Sequence, residues 1–153
     1  MNILVTDPPA PGTDHSQALP AAPAPAPARI QRLRTKGWRA PDGAVYVGRG
    51  SVWGNPWRTG ESRGWTVLPG GWIDRRPHGP LTAEQAVASF RNSRTHDIEF
   101  LQTIRERLAG RTLMCWCRVG AVCHGDWLLE VANGTAPLED LVDRSAKPNV
   151  LEA

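Results

Sequence analysis

The sequence contains no run of ~20 apolar residues, so neither a transmembrane helix nor a membrane partner is expected. Its first residues, Met1 to Thr6, carry no basic segment leading into an apolar stretch. Nothing therefore argues for export, and a reducing cytoplasm is the expected setting. Cysteine is scarce and odd in number: Cys115, Cys117 and Cys123 all fall within nine residues. In a reducing compartment this argues against a disulfide framework and directs attention to metal binding or thiol chemistry. Lysine is nearly missing, since 16 of the 18 basic residues are arginine and only Lys36 and Lys147 are lysine. No internal repeat is present.

What is there is unevenly spread. The net charge of +3 over 153 residues conceals a basic middle between two weakly acidic ends. Residues 1–28 carry −2, residues 29–134 carry 16 basic and nine acidic groups and hence +7, and residues 135–153 carry −2. All seven tryptophans (38, 53, 57, 65, 72, 116 and 127) lie in the middle. Seven of the 14 prolines lie in residues 1–28, where Ala-Pro alternates from Pro23 to Ala28. That composition has too little apolar bulk to offset its ordering entropy, so 1–28 reads as a disordered Pro/Ala-rich tail favouring polyproline II. An inert tail is preferred to a ligand for a proline-binding groove, because no aromatic or anchoring basic residue sits within the run. Residues 135–153 read as a loosely ordered C-terminal tail broken by Pro137 and Pro148, with an amphipathic turn around Leu138, Leu141 and Val142 able to dock. Residues 29–134 are long enough to bury a core and form a single domain.

Within it, Ile30–Arg34 is a weak strand and Pro41-Asp42-Gly43 a turn, followed by a short strand over 44–47. Residues 58–79 have no periodicity and read as a long loop or irregular hairpin. A helix begins after Pro80, with Thr82 and Gln85 as a capping box and Ala83, Ala86, Val87 and Phe90 at helical spacing. A second is expected from about Thr95 to Leu108, with Ile98, Leu101 and Leu108 on one stripe, Phe100 and Ile104 widening it, and Gly110 as its stop. Residues 111–117 then read as a strand and 125–133 as a last helix, ended by Gly134. The expected fold is α/β or α+β: a small sheet of about three to four strands with about three helices, in a single domain.

The richest stretch is Cys115-Trp116-Cys117, a five-residue loop, then Cys123-His124-Gly125-Asp126. If 111–117 is extended, Leu113, Cys115 and Cys117 share one face, and Met114 and Trp116 share the other. Cys123 and His124 then fall where a helix begins. Three readings stand open. Cys115, Cys117, Cys123 and His124 are the ligand types of a Cys₃His zinc site, although C-x-C-x₅-C-H is not a standard zinc spacing. Alternatively, a thiol is catalytic: Cys123 immediately precedes a helix N-terminus, which together with His124 or an arginine lowers a thiol pKa. In the plainest reading the cysteines are small buried hydrophobes. That suits Cys115 but leaves His124, Gly125 and Asp126 without a role. Gly125 allows close backbone approach. Asp126, in the first helical turn, either caps free N–H groups or takes part in catalysis or ligand binding.

The second stretch is Gly48-Arg49-Gly50-Ser51-Val52-Trp53-Gly54-Asn55-Pro56. Glycine-rich turns free backbone N–H groups for anions, and Arg49 adds a fork matched to phosphate or carboxylate. The pattern is neither a P-loop nor G-x-G-x-x-G. Taken alone, it reads better as a structured turn in which Ser51 and Asn55 satisfy local backbone groups and Trp53 packs inward with Trp57.

Together, Gly48-Arg49-x-Ser51-x-Trp53-Gly54-Asn55-Pro56 and, about sixty residues on, Cys115-Trp116-Cys117 with Cys123-His124-Gly125-Asp126 resemble a small family of bacterial and phage domains, domain of unknown function 4326. The resemblance spans roughly residues 29–134. Two features depart from the family: the loop over 118–122 lacks its usual proline, and the stretch over 58–79 is longer. The resemblance supplies no reaction. It implies that the two loops define the domain and meet in space.

The expected function is binding of, or action on, an anionic small molecule such as a nucleotide or phosphorylated metabolite, in a pocket between the two loops. Gly48, Arg49, Ser51, Trp53, Gly54, Asn55 and Gly125 would bind or orient it, and Cys123, His124 and Asp126 would supply thiol or acid–base chemistry. The alternative is a zinc-stabilised nucleic-acid-binding module without catalysis, favoured by the +7 but not by any obvious interleaving of tryptophan with arginine.

Overall fold

The protein is described by a computed structural model over residues 26–62, 66–69, 72–74 and 79–142. The expectations for residues 1–25 and 143–153 lie outside the described residues. Within them the elements run β1 (Arg29–Gln31), β2 (Val45–Tyr46), β3 (Thr66–Val67), β4 (Ile73–Asp74), α1 (Ala83–Arg94), α2 (Ile98–Leu108), β5 (Leu113–Cys115), α3 (His124–Asn133) and α4 (Leu138–Leu141).

Three strands form a parallel sheet in the order β1-β5-β2, and β3 and β4 form a separate antiparallel pair. The fold is therefore a small single-domain α+β one. β5 is central. Ile30 pairs with Met114 on one side, and Tyr46 pairs with the same residue on the other. The ladder runs on past the strands, with Arg32 N donating to Cys115 O at 2.7 Å and Val47 N to Met114 O at 2.9 Å. Leu113, Met114 and Cys115 are all buried, and Trp116, just beyond the strand, reaches solvent.

The helices start where side chains satisfy their free N–H groups. Thr82 accepts from Gln85 N, and Gln85 returns a bond to Thr82 N, completing the capping box of α1. For α2 the cap is Asp97, which accepts from Phe100 N at 2.9 Å, so the helix begins at Ile98 and not at Thr95. Thr95 instead closes α1, donating its N–H to Arg91 O. The buried stripe of α2 is Leu101, Ile104 and Leu108, and Ile98 in the first turn stays exposed. Gly110, with φ of +69°, ends the segment.

Phe90, Leu101, Ile104, Leu108, Leu113 and Leu128 are fully buried, and each such side chain contributes about 1.5–3 kcal/mol relative to exposure. Phe90 packs edge-on against Trp127 at 5.6 Å and against His124 at 5.3 Å, joining α1 to the start of α3. Beyond Gly134, α4 lies against α2, and Leu138, Leu141 and Val142 pack on the core. Among the described residues no helix is long and apolar enough to cross a membrane.

Candidate functional site

β2 and β5 run parallel and end at the same edge of the sheet. From that edge leave the Gly48–Trp57 loop and the turn over 117–122, and α3 begins beside them. The carboxyl ends of parallel strands beside a helix N-terminus are where folds of this kind leave room for ligands, because the chain diverges there. A cavity of about 140 Å³ lies at this place. Gly48, Arg49, Asn55 and Trp57 line it from the first loop, Cys115, Cys117, Cys123 and His124 from the cysteine segment, and Ala83, Ala86 and Val87 from α1. The two loops thus meet across it. The shortest link is His124 Nε2 to Val47 O, at 2.7 Å.

That bond sets the histidine's chemistry. A carbonyl only accepts, so Nε2 carries the proton and Nδ1 keeps its lone pair in the neutral ring. Nδ1 faces Cys123 Sγ at 3.8 Å. Cys115 Sγ, Cys123 Sγ and a His124 ring nitrogen lie within 4.8 Å of one another, and all three residues are buried. Cys117 Sγ is 3.8 Å from Cys115 Sγ and only half-buried. These residues could hold a metal ion.

The sulfurs differ in acidity. Cys115 is pulled down to about 5, chiefly because the Cys123 thiol hydrogen-bonds to it, with burial working the other way and His124 assisting. The same hydrogen bond pushes Cys123 up, and burial adds to the rise. Cys117 is also raised, first by burial and then by the charge on Cys115. The expectation that Cys123 is the acidified thiol is therefore corrected. Cys123 is itself the N-cap of α3 and accepts Gly125 N at 3.4 Å, but its thiol is raised rather than lowered.

Asp126 does not line the cavity, nor do Ser51, Trp53, Gly54 or Gly125. The Asp126 carboxylate, half exposed, accepts from Arg29 Nε at 2.6 Å. Arg29 also donates to Cys117 O and Arg118 O at 3.2 Å and to Ala121 O at 3.0 Å. One buried guanidinium thus ties the turn over 117–121 to the first turn of α3. Burial works against its charge, but the bond to Asp126 and the nearby sulfurs outweigh this and raise its pKa. A Cβ at Gly125 would come within 2.9 Å of Arg29 Cδ. The close approach that Gly125 permits is therefore that of Arg29, which its hydrogen bonds prevent from moving aside.

The first loop is occupied with itself. Ser51 Oγ donates to Gly48 O at 2.8 Å, and the N–H groups of Ser51 and Gly54 donate to Gly48 O and Ser51 O. Arg49 donates to Asn55 O and Trp57 O. Buried Asn55 accepts from Trp57 N at 2.8 Å and donates to Ala86 O at 3.0 Å, which pins the loop to α1. Gly54 is needed because a Cβ there would lie 2.8 Å from Gly48 O and 2.9 Å from Arg49 Cα. Two of the loop's amides, those of Ser51 and Gly54, are thus spent within the loop, and the Arg49 guanidinium is committed to two of its carbonyls.

Arg29 went unnoticed in the sequence because it lies 88 to 97 residues from its partners, in a strand with no motif of its own. The alanine wall of α1 had a weak signal, the small residues Ala83 and Ala86 following the cap.

These features define a small α+β domain whose parallel sheet ends in a cavity floored by cysteine and histidine. The chain matches the domain of unknown function family DUF4326 over residues 30–134 and belongs to that family. No curated protein and no solved structure matches it.

Proposed function

We propose that the domain is a metal-binding one. Cys115, Cys123 and His124 Nδ1 hold a zinc-type divalent ion at the floor of the cavity, and a further coordination position faces the open space. The observation that carries this reading is the compact set of soft donors, with the second nitrogen of His124 anchored on Val47 O. Metal-binding histidines are commonly oriented in this way through their other ring nitrogen. Tetrahedral zinc with sulfur at about 2.3 Å needs sulfurs about 3.8 Å apart. The Cys115–Cys117 separation has that value, so Cys117 is the neighbour able to close the position until a ligand displaces it. The acidity of Cys115 supports the reading, since thiolates are the binding form.

The ligand at the open position is a small anion, such as the phosphate of a nucleotide or phosphorylated metabolite. The exposed side of Arg49 lies at the cavity and favours negative charge there. On this reading Cys123 and His124 are ligands to the ion and not acid–base groups, and Asp126 serves Arg29. The test is elemental analysis of the purified chain. About one zinc per chain is expected, lost in Cys115→Ser, Cys123→Ser and His124→Ala and weakened in Cys117→Ser. A metal-free chain with one fast-alkylating thiol would overturn the reading in favour of thiol chemistry.

A further inference from the structure

Trp116 stands at the edge of the cavity and is 37% exposed. Its Nε1 donates to Tyr46 OH at 3.0 Å, and that hydroxyl donates to Arg49 O at 3.1 Å, so the ring is fixed to the first loop. The Arg32 and Arg34 guanidinium carbons each lie 4.9 Å from the Trp116 ring centre, and Arg32 also lies 5.2 Å from that of Tyr46. Sheet register produces this grouping: Arg32 N bonds Cys115 O, which sets the segment after β1 beside Trp116.

Among the described residues neither Arg32 nor Arg34 forms an ion pair or a side-chain hydrogen bond. Both guanidinium groups rest on aromatic faces with their N–H edges uncommitted, an arrangement that holds the charge in place at an exposed site. Exposed Lys36 and Arg39 follow on the same segment. The interleaving of arginine with aromatic side chains, absent along the chain, is thus made in space.

We propose that this rim binds the phosphates of a single-stranded nucleic acid, with one unpaired base turned toward the cavity. Charge complementarity selects a polyanion, and the uncommitted forks of Arg32 and Arg34 suit phosphate oxygens. The cavity selects a single strand. At about 140 Å³ it is well under the ~300 Å³ at which ordinary small-molecule pockets begin, so it takes one fragment such as a base and excludes a base pair. Trp116 lies between Cys115 and Cys117, but Arg32 and Arg34 are not among the proposed ligands, and the inference does not rest on the ion.

The experiment is fluorescence anisotropy of the full chain with a labelled oligothymidylate of about a dozen nucleotides, titrated at several salt concentrations. The double variant Arg32→Ala with Arg34→Ala is expected to bind at least about tenfold more weakly, and its salt slope to fall by about 1.4, the share of two phosphate contacts on a single strand. Arg107→Ala, on α2 at a different cavity, is expected to leave binding unchanged. Should the alanine pair fail to fold, Arg32→Gln with Arg34→Gln keeps a polar side chain, removes the charge and is expected to show the same loss of affinity and slope. Unchanged affinity and slope in the alanine pair would overturn the proposal. So would a duplex bound as tightly as the single strand. A mononucleotide competing as well as the oligomer would reassign the rim to a free nucleotide and overturn the polymer reading.

Discussion

The Gly48–Trp57 loop and the turn over 117–126 face each other across one cavity but are held in different ways. In the loop, Ser51, Arg49 and Asn55 bond carbonyls or amides two to eight residues away, with one longer bond from Asn55 to Ala86 O. In the turn, the carbonyls of Cys117, Arg118 and Ala121 and the carboxylate of Asp126 all converge on Arg29, almost a hundred residues upstream. Local bonds form whenever the loop closes, so they cost little loop entropy. The Arg29 bonds exist only once β1 has paired with β5, so the geometry of the sulfurs depends on the sheet being complete.

If that contrast is right, the largest effect comes from the long-range side. Arg29→Ala is expected to destabilise the domain by about 3–5 kcal/mol, as measured by denaturant unfolding, because several charge-assisted bonds in a buried place are lost together. Next comes the metal. At a free zinc concentration about 100-fold above the dissociation constant, the folded state gains about 2.7 kcal/mol, so the melting temperature rises with zinc and falls with a chelator. Both shifts should vanish in Cys123→Ser. Asn55→Ala follows at about 2 kcal/mol, since it strands a buried amide and a buried carbonyl where the loop is tied to α1. Ser51→Ala is the smallest, at about 1 kcal/mol or less, because its hydroxyl serves a single carbonyl that also accepts Ser51 N. An Arg29→Ala cost no larger than that of Ser51→Ala would break the comparison.

Features with local physics were open to reading. The capping box at Thr82 and Gln85, the stop at Gly110 and the inward duties of Ser51 and Asn55 all involve groups a few residues apart, where side-chain type and spacing decide the bond. Asp97 had the same kind of signal, a capping side chain three residues before Phe100, yet the earlier Thr95 masked it by closing the previous helix. Longer-range features were closed to reading. Nothing around Arg29 marks it as the anchor of the cysteine turn. Nothing in Cys115-Trp116-Cys117 shows that Trp116 stands against Arg32 and Arg34.

The sequence by itself determined that α1 opens at the Thr82 cap, that Gly110 closes the segment after α2, and that the tryptophans and cysteines belong to one basic stretch. It did so because capping, turn geometry and hydrophobic spacing act over a few residues. Only the tertiary structure decided which donor atoms share a site. Helix placement alone favours Cys123 as the acidic thiol, but within the buried cluster the hydrogen bond between the two thiols lowers Cys115 and raises Cys123. Acidity there is a property of the pair, and the pair exists only after the sheet has brought β5 to the start of α3.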